Sequence, residues 1–171
     1  VRDAGGRLPF AQAVRVRTRS RPARAYDVQL RVPTTAPVRA GDALLARFYV
    51  RRPLGAPAQA RTDFVFEEAG GSYAHSVVFP GEAGLRWRRV DVPFRSAGHY
   101  PAGGAQANFR AGFGPQTIEL GGFELVNRGR LEGPDPAPTV GAYAGREAEA
   151  AWRRSAERRI ERIRKADLVV K

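Results

Sequence analysis

Between Ala105 and Arg110 the chain alternates small or aromatic residues with polar ones, setting Ala105, Ala107 and Phe109 against Gln106, Asn108 and Arg110. Successive side chains of a β-strand leave on opposite faces. This spacing therefore predicts one apolar face turned to a core and another carrying two amides and a guanidinium. Such groups do hydrogen-bond chemistry rather than covalent chemistry. Planar amides and guanidinium groups suit the directional hydroxyls of a sugar, above all where an aromatic ring stands beside them to stack on the sugar's CH face.

Three further segments repeat the pattern. In "AYDVQLRV", Tyr26, Val28, Leu30 and Val32 take the apolar side and leave Asp27, Gln29 and Arg31 outside. In "ALLARFYV", Leu44, Ala46, Phe48 and Val50 leave Leu45, Arg47 and Tyr49 opposite, and in "AVRVRT", Val14 and Val16 leave Arg15 and Arg17. Parity thus gathers Arg15, Arg17, Gln29, Arg47, Tyr49, Gln106, Asn108 and Arg110 on what would be a single sheet face, with Tyr49 as its stacking ring. Trp87 shares the parity of Arg89 and Asp91, so it reads either as an exposed stacking platform or as a cover for the sandwich edge. Tyr73, His75, His99 and Tyr100 fall in or beside turns, where loop aromatics can rim a site. The plain alternative is that outward positions of an antiparallel sheet are polar because they meet water.

The elements that must position these residues are short. The runs are "FAQAVRVRTR", "AYDVQLRVP", "ALLARFYVRR", "TDFVFEEA", "AHSVVFP", "LRWRRVDVPF", "AQANFRAGF" and "TIELGGFELVN". Separated by Pro- and Gly-rich turns, they predict an all-β, antiparallel jelly-roll β-sandwich over residues 1–127. Residues 128–145 read as an extended linker. From Arg146 the positions Trp152, Ala156, Ile160 and Ile163 recur at helical spacing, with Glu161 and Lys165 paired at i,i+4, which predicts an amphipathic C-terminal α-helix. The final "DLVVK" reads as the start of a following module.

Composition narrows the chemistry. A chain of 171 residues fits one ordinary domain, and without cysteine it can form neither a disulfide nor a thiolate metal site. No apolar run approaches the roughly 18 residues of a membrane span, and "VRDAGGRLPF" lacks the hydrophobic segment of a signal peptide. The net charge of +12 raises nucleic acid as a partner, through Arg15, Arg17, Arg31 and Arg47. That charge is dispersed, however, with 20 basic and 12 acidic residues up to Tyr143 and 9 and 5 after it. Few stacking aromatics interleave with the arginines, which makes nucleic acid the weakest of the partner readings.

Catalytic signatures are missing. Glu67, Glu68, Glu119 and Glu124 are scattered without the facing pair a glycosidase needs. There is no GxSxG, no HExxH, and no strand, loop and helix context for a phosphate-binding glycine loop. No cofactor is indicated, and calcium stays open as a structural ion although no DxDxDG-type loop names its ligands.

The same segments carry a resemblance. "AYDVQLRVPTTAPVRAGDALLARFYVR", "FVFEEAGGSYAHSVVFP", "QTIELGGFELVN" and the spacing of Trp152, Arg153, Ala156, Arg159, Ile160, Glu161 and Leu168 resemble the N-terminal region of bacterial multimodular glycoside hydrolase family 10 proteins, the endo-1,4-β-xylanase class. In those proteins the region looks like a jelly-roll, galactose-binding-like carbohydrate-binding module of the family 4/9/22 type, leading through a helix into a catalytic barrel. The resemblance implies a secreted or cell-surface, non-catalytic module that attaches to plant cell-wall polysaccharide such as xylan, with hydrolysis done by a downstream module of the same chain. Typical modules carry tryptophan or several tyrosines on the concave face, whereas parity puts only Tyr49 there. A bracing module that binds no glycan is the competing reading.

Overall fold

The computed structural model describes residues 2–3, 8–57, 60–133 and 139–140. The predicted helix at 146–171, the terminal "DLVVK" and most of the predicted linker lie outside the described residues.

The described chain is all-β, as two antiparallel sheets. Sheet I runs in the order β1 (Arg2–Asp3), β2 (Gln12–Thr18), β9 (Gln116–Asn127), β4 (Ala43–Arg51), β7 (Arg88–Arg95) and β10 (Thr139–Val140). Sheet II runs β3 (Gln29–Pro33), β8 (Ala105–Arg110), β5 (Arg61–Glu68) and β6 (His75–Glu82). Each of the eight predicted runs overlaps one of the strands β2 to β9, with the bounds of β5, β6, β7 and β9 reaching one or two residues beyond the run. The run beginning at Ala25 differs at its start, because Ala25–Asp27 is a turn of 3-10 helix and the strand opens only at Gln29. There Asp27 accepts a hydrogen bond from the Arg24 amide, the local competition by which aspartate ends extended structure.

Alternation decides what enters the core. Leu44, Ala46, Phe48 and Val50 of β4 and Val90, Val92 and Phe94 of β7 are buried from sheet I, while Phe64 and Phe66 of β5 and Ala105, Ala107 and Phe109 of β8 are buried from sheet II. The rings interlock across the sandwich. Phe48 lies 5.6 Å from Phe64 and 5.0 Å, edge-on, from Phe109, and Phe66 lies 5.2 Å from Phe94. Aromatic pairs in this range add to the transfer free energy of each buried ring.

One local irregularity sets the outer face of sheet I. The register of β4 on β9 passes from Arg47 opposite Glu124 to Tyr49 opposite Gly121, so β9 holds an extra residue. Gly122 takes a φ of +58°, which lets Phe123 turn inward against Phe109 while Glu124 still faces out.

Candidate functional site

The structure divides the predicted polar face between the two sheets. Gln29, Gln106, Asn108 and Arg110 lie on the outer face of sheet II, while Arg15, Arg17, Arg47, Tyr49 and Trp87 belong to the outer side of sheet I. Parity assigns a side chain to an outer face but not to a particular sheet, and β3 and β4, adjacent in sequence, enter different sheets.

On sheet I the charges are used internally. Glu119, 1% exposed, accepts from Arg15 at 2.8 Å and from Arg51 at 2.6 Å. Burial alone would push its carboxyl up. The hydrogen bonds and charges of Arg51 and Arg15 outweigh that and hold it below the ordinary carboxylate range. Asp91 is likewise raised by burial and brought below its usual value by Arg47 and Arg89. The aromatics are used too. Phe10 lies across the strands with Tyr49 at 5.1 Å and Trp87 at 5.2 Å, and the Arg51 guanidinium stands 4.6 Å over the Trp87 ring. Trp87 is therefore half-buried in a packed cluster rather than an exposed platform, and Tyr49 is not a neighbour of the amides. Arg17 is exposed and lines a groove of about 700 Å³ with Arg15, Arg19 and the Pro53–Pro57 loop, and among the described residues no aromatic ring lines it.

Sheet II is built differently. Its outer face carries Glu67 of β5 opposite Gln106 of β8, with Asn108 diagonal to it. Glu67 is 4% exposed, and its Oε1 accepts from Gln106 Nε2 at 3.1 Å and from Asn108 Nδ2. Its Oε2 accepts from Arg110 Nη2 at 3.0 Å, and His75 Nε2 lies 3.0 Å from both partners. A carboxylate can only accept, so both amides must turn their NH2 groups to it and their carbonyls away. Asn108 and Gln106 are consequently buried, contrary to their expected exposure on an outward face. Within this layer Gln29 Oε1, Asn108 Oδ1 and Arg110 Nε are buried and have no hydrogen-bond partner among the described residues. Such atoms are rare in folded proteins, and Arg52 Nε, Thr62 Oγ1, Trp87 Nε1 and Arg88 Nε share the property away from this layer.

Above the network opens a cleft of about 470 Å³. Gln29, Arg31, Arg110, Glu67 and His75 form its strand-borne part, and Tyr26, Ser72 and Tyr73 its rim. Tyr26 was expected on the apolar side of its strand; instead the 3-10 turn leaves it 42% exposed, with the Arg110 guanidinium 5.7 Å from its ring centroid. Tyr73 is 48% exposed in the β5–β6 loop and is the one non-glycine among the described residues with positive φ, at 53°. A bulky residue adopts that conformation against its own sterics, and such strain concentrates at ligand sites. The loop holds it there: Ser72 donates its hydroxyl to Glu68 at 2.6 Å, and the Tyr73 amide donates to the Gly70 carbonyl.

Of the other predicted rim residues, Tyr100 is buried against Phe66, and His99 accepts from the Ala40 amide at the far side of the β4–β7 end. Sequence reasoning missed Glu67 as the organiser and Tyr26 as the ring. The available signal for Glu67 was its position two residues after Val65 in a strand buried on both faces. Among the described residues no three His, Cys, Asp or Glu side chains cluster as metal ligands, and no helix is long and apolar enough to cross a membrane.

No protein-family model matches the chain, and no curated protein matches its sequence. Solved structures do. One titled "CBM4 structure and function" superposes with a TM-score of 0.58 at 17% identity, over 68% of this chain and 84% of its own. The N-terminal cellulose-binding domain of Cellulomonas fimi β-1,4-glucanase C gives 0.55 at 17% identity, over 70% and 80%. The apo CBM of PbXyn10C gives 0.54 at 15% identity, over 86% and 84%. At these identities the common property is the fold, and this chain is an all-β, two-sheet sandwich of the same kind as those modules.

Proposed function

We propose that the chain is a non-catalytic carbohydrate-binding module whose cleft on sheet II takes a β-1,4-linked plant cell-wall glycan such as xylan. The observation that carries this reading is the pairing of chemistries in one cleft: Gln29 and Arg110, each with a polar atom that lacks a partner, beside two exposed tyrosine rings. Hydroxyl groups of a sugar supply the missing partners, and its CH faces stack on the rings. A sandwich shared with a cellulose-binding domain supports the same reading. As in the glycoside hydrolase family 10 proteins that the sequence resembles, the module would be secreted and would hold a downstream catalytic part against its insoluble substrate, raising the local concentration of enzyme.

Affinity electrophoresis tests it. The full chain run in gels containing xylan, soluble cellulose derivatives or mixed-linkage glucan is expected to be retarded in at least one, and a double Tyr26→Ala, Tyr73→Ala variant to migrate freely. Unretarded migration in every gel sinks the proposal.

A further inference from the structure

The cleft on sheet II has a surplus of positive charge. Glu67 is the one carboxylate among its lining residues, and it is already enclosed by Gln106, Asn108, Arg110 and His75. Asp63 shares the outer face of β5 but is held by Arg61 at 3.1 and 3.2 Å. Arg31 is left over. It projects from β3 directly opposite Asn108, is exposed, and has neither hydrogen bond nor ion pair among the described residues. Its diagonal neighbour on β8 is Arg110, so the face carries Arg31, Arg61 and Arg110 with two buried carboxylates, Asp63 and Glu67, that are taken up by Arg61 and Arg110 and leave Arg31 over. Like charges in adjacent register destabilise a sheet slightly. A neutral glycan gives nothing back for that arrangement, whereas a carboxylate on the ligand would, through a bidentate, charge-assisted pair.

We infer that this cleft selects acidic glycans, and that Arg31 is the residue that reads a uronic acid carboxylate. The inference rests on the carbohydrate-binding reading above and adds to it the chemical class of the ligand. The sugar ring stacks on Tyr26 or Tyr73, its hydroxyls meet Gln29 and Arg110, and its carboxylate meets the Arg31 fork. The shared chemistry is the uronate group, whether it branches from a neutral backbone or forms the backbone itself.

The experiment compares matched pairs of polysaccharide: glucuronoxylan and polygalacturonic acid, each with its carboxyl-reduced form, in which the carboxylate becomes a primary alcohol. Affinities are measured by gel retardation or calorimetry on the full chain and on its Arg31→Gln and Arg17→Gln variants. Arg17 lies on sheet I and removes the same charge from the other face, and thermal melts confirm that both variants fold. The wild type is expected to bind at least one acidic form about tenfold or more tighter than its reduced partner. Arg31→Gln should abolish that preference and Arg17→Gln should keep it. Equal binding of acidic and reduced forms by the wild type overturns the inference while leaving carbohydrate binding standing. A preference untouched by Arg31→Gln, or lowered alike by both variants, overturns it as well, the latter because diffuse attraction by the +12 chain is then enough. Retention by none of the four polymers, and by no neutral glycan, removes the inference together with the reading beneath it.

Discussion

Glu67 on β5 and Arg110 on β8 meet at 3.0 Å, Oε2 to Nη2, with both side chains largely withdrawn from solvent. The pair is surrounded by donors that depend on the same carboxylate. Glu67→Ala therefore strands Arg110, Gln106 and Asn108 together, and removing one partner of a buried pair is costly because the other charge stays behind. We expect a loss of about 3 kcal/mol in urea denaturation, together with loss of glycan retention. A variant that keeps wild-type stability would show that water satisfies the layer without Glu67.

The two aromatic sets should separate cleanly. Tyr26→Ala and Tyr73→Ala are expected to weaken glycan binding by about three- to tenfold each, the range of one stacked ring contact, with little change in melting temperature. Tyr49→Ala and Trp87→Ala should do the reverse. They open the Phe10 cluster and cost about 1–3 kcal/mol of stability for partly buried rings, without altering the affinity for any glycan. Reduced binding by Tyr49→Ala in a folded protein would move the site to sheet I.

Seating Phe10 requires the absence of side chains beneath it. A Cβ at Gly121 would collide with Phe10 Cε2, and one at Gly122 would stand 2.6 Å from Cδ1 on a backbone with φ of +58°. Gly122→Ala combines backbone strain with overpacking and should cost about 2 kcal/mol. A thermal melt would read this as a fall of several degrees. Phe10→Ala in the Gly122→Ala background should recover part of it, since the clash is then gone.

Acid should loosen sheet I. Glu119 and Asp91 both titrate below their ordinary values in the folded protein, after the arginine contacts overcome burial. A depressed folded pKa means that the stabilisation is fully present above the unfolded pKa and is lost as pH falls through the folded one. Stability should therefore hold from neutral pH down to the usual carboxylate range and drop below it. Glu119→Gln, measured by the denaturation midpoint across pH, is expected to be less stable at neutral pH and to show a shallower acid slope.

How much of this was legible in the sequence depends on the question put to it. Alternating and apolar runs located the strands from β2 to β9 because the core face is largely apolar, and parity put Gln29, Gln106, Asn108 and Arg110 on one outer face, where the structure has them. It could not tell sheet I from sheet II. That assignment is made by long-range pairing, such as β3 with β8 and β4 with β9, between segments about 75 residues apart in the chain. Tyr49 was thus joined to amides it does not adjoin. Tyr26 was lost for a local reason, since Asp27 captures the Arg24 amide and breaks the strand before alternation begins. Glu67 was passed over because a carboxylate in "TDFVFEE" looks solvated, whereas a central strand of sheet II covers both its faces.

The fixed network around Glu67 has a thermodynamic corollary. Two amides, a guanidinium and an imidazole are locked to one carboxylate before a ligand arrives, so association does not have to freeze them. Encounter should then resemble a key meeting a cut lock, with backbone positions in free and occupied crystals agreeing closely and differences confined to the long side chains and rings at the mouth.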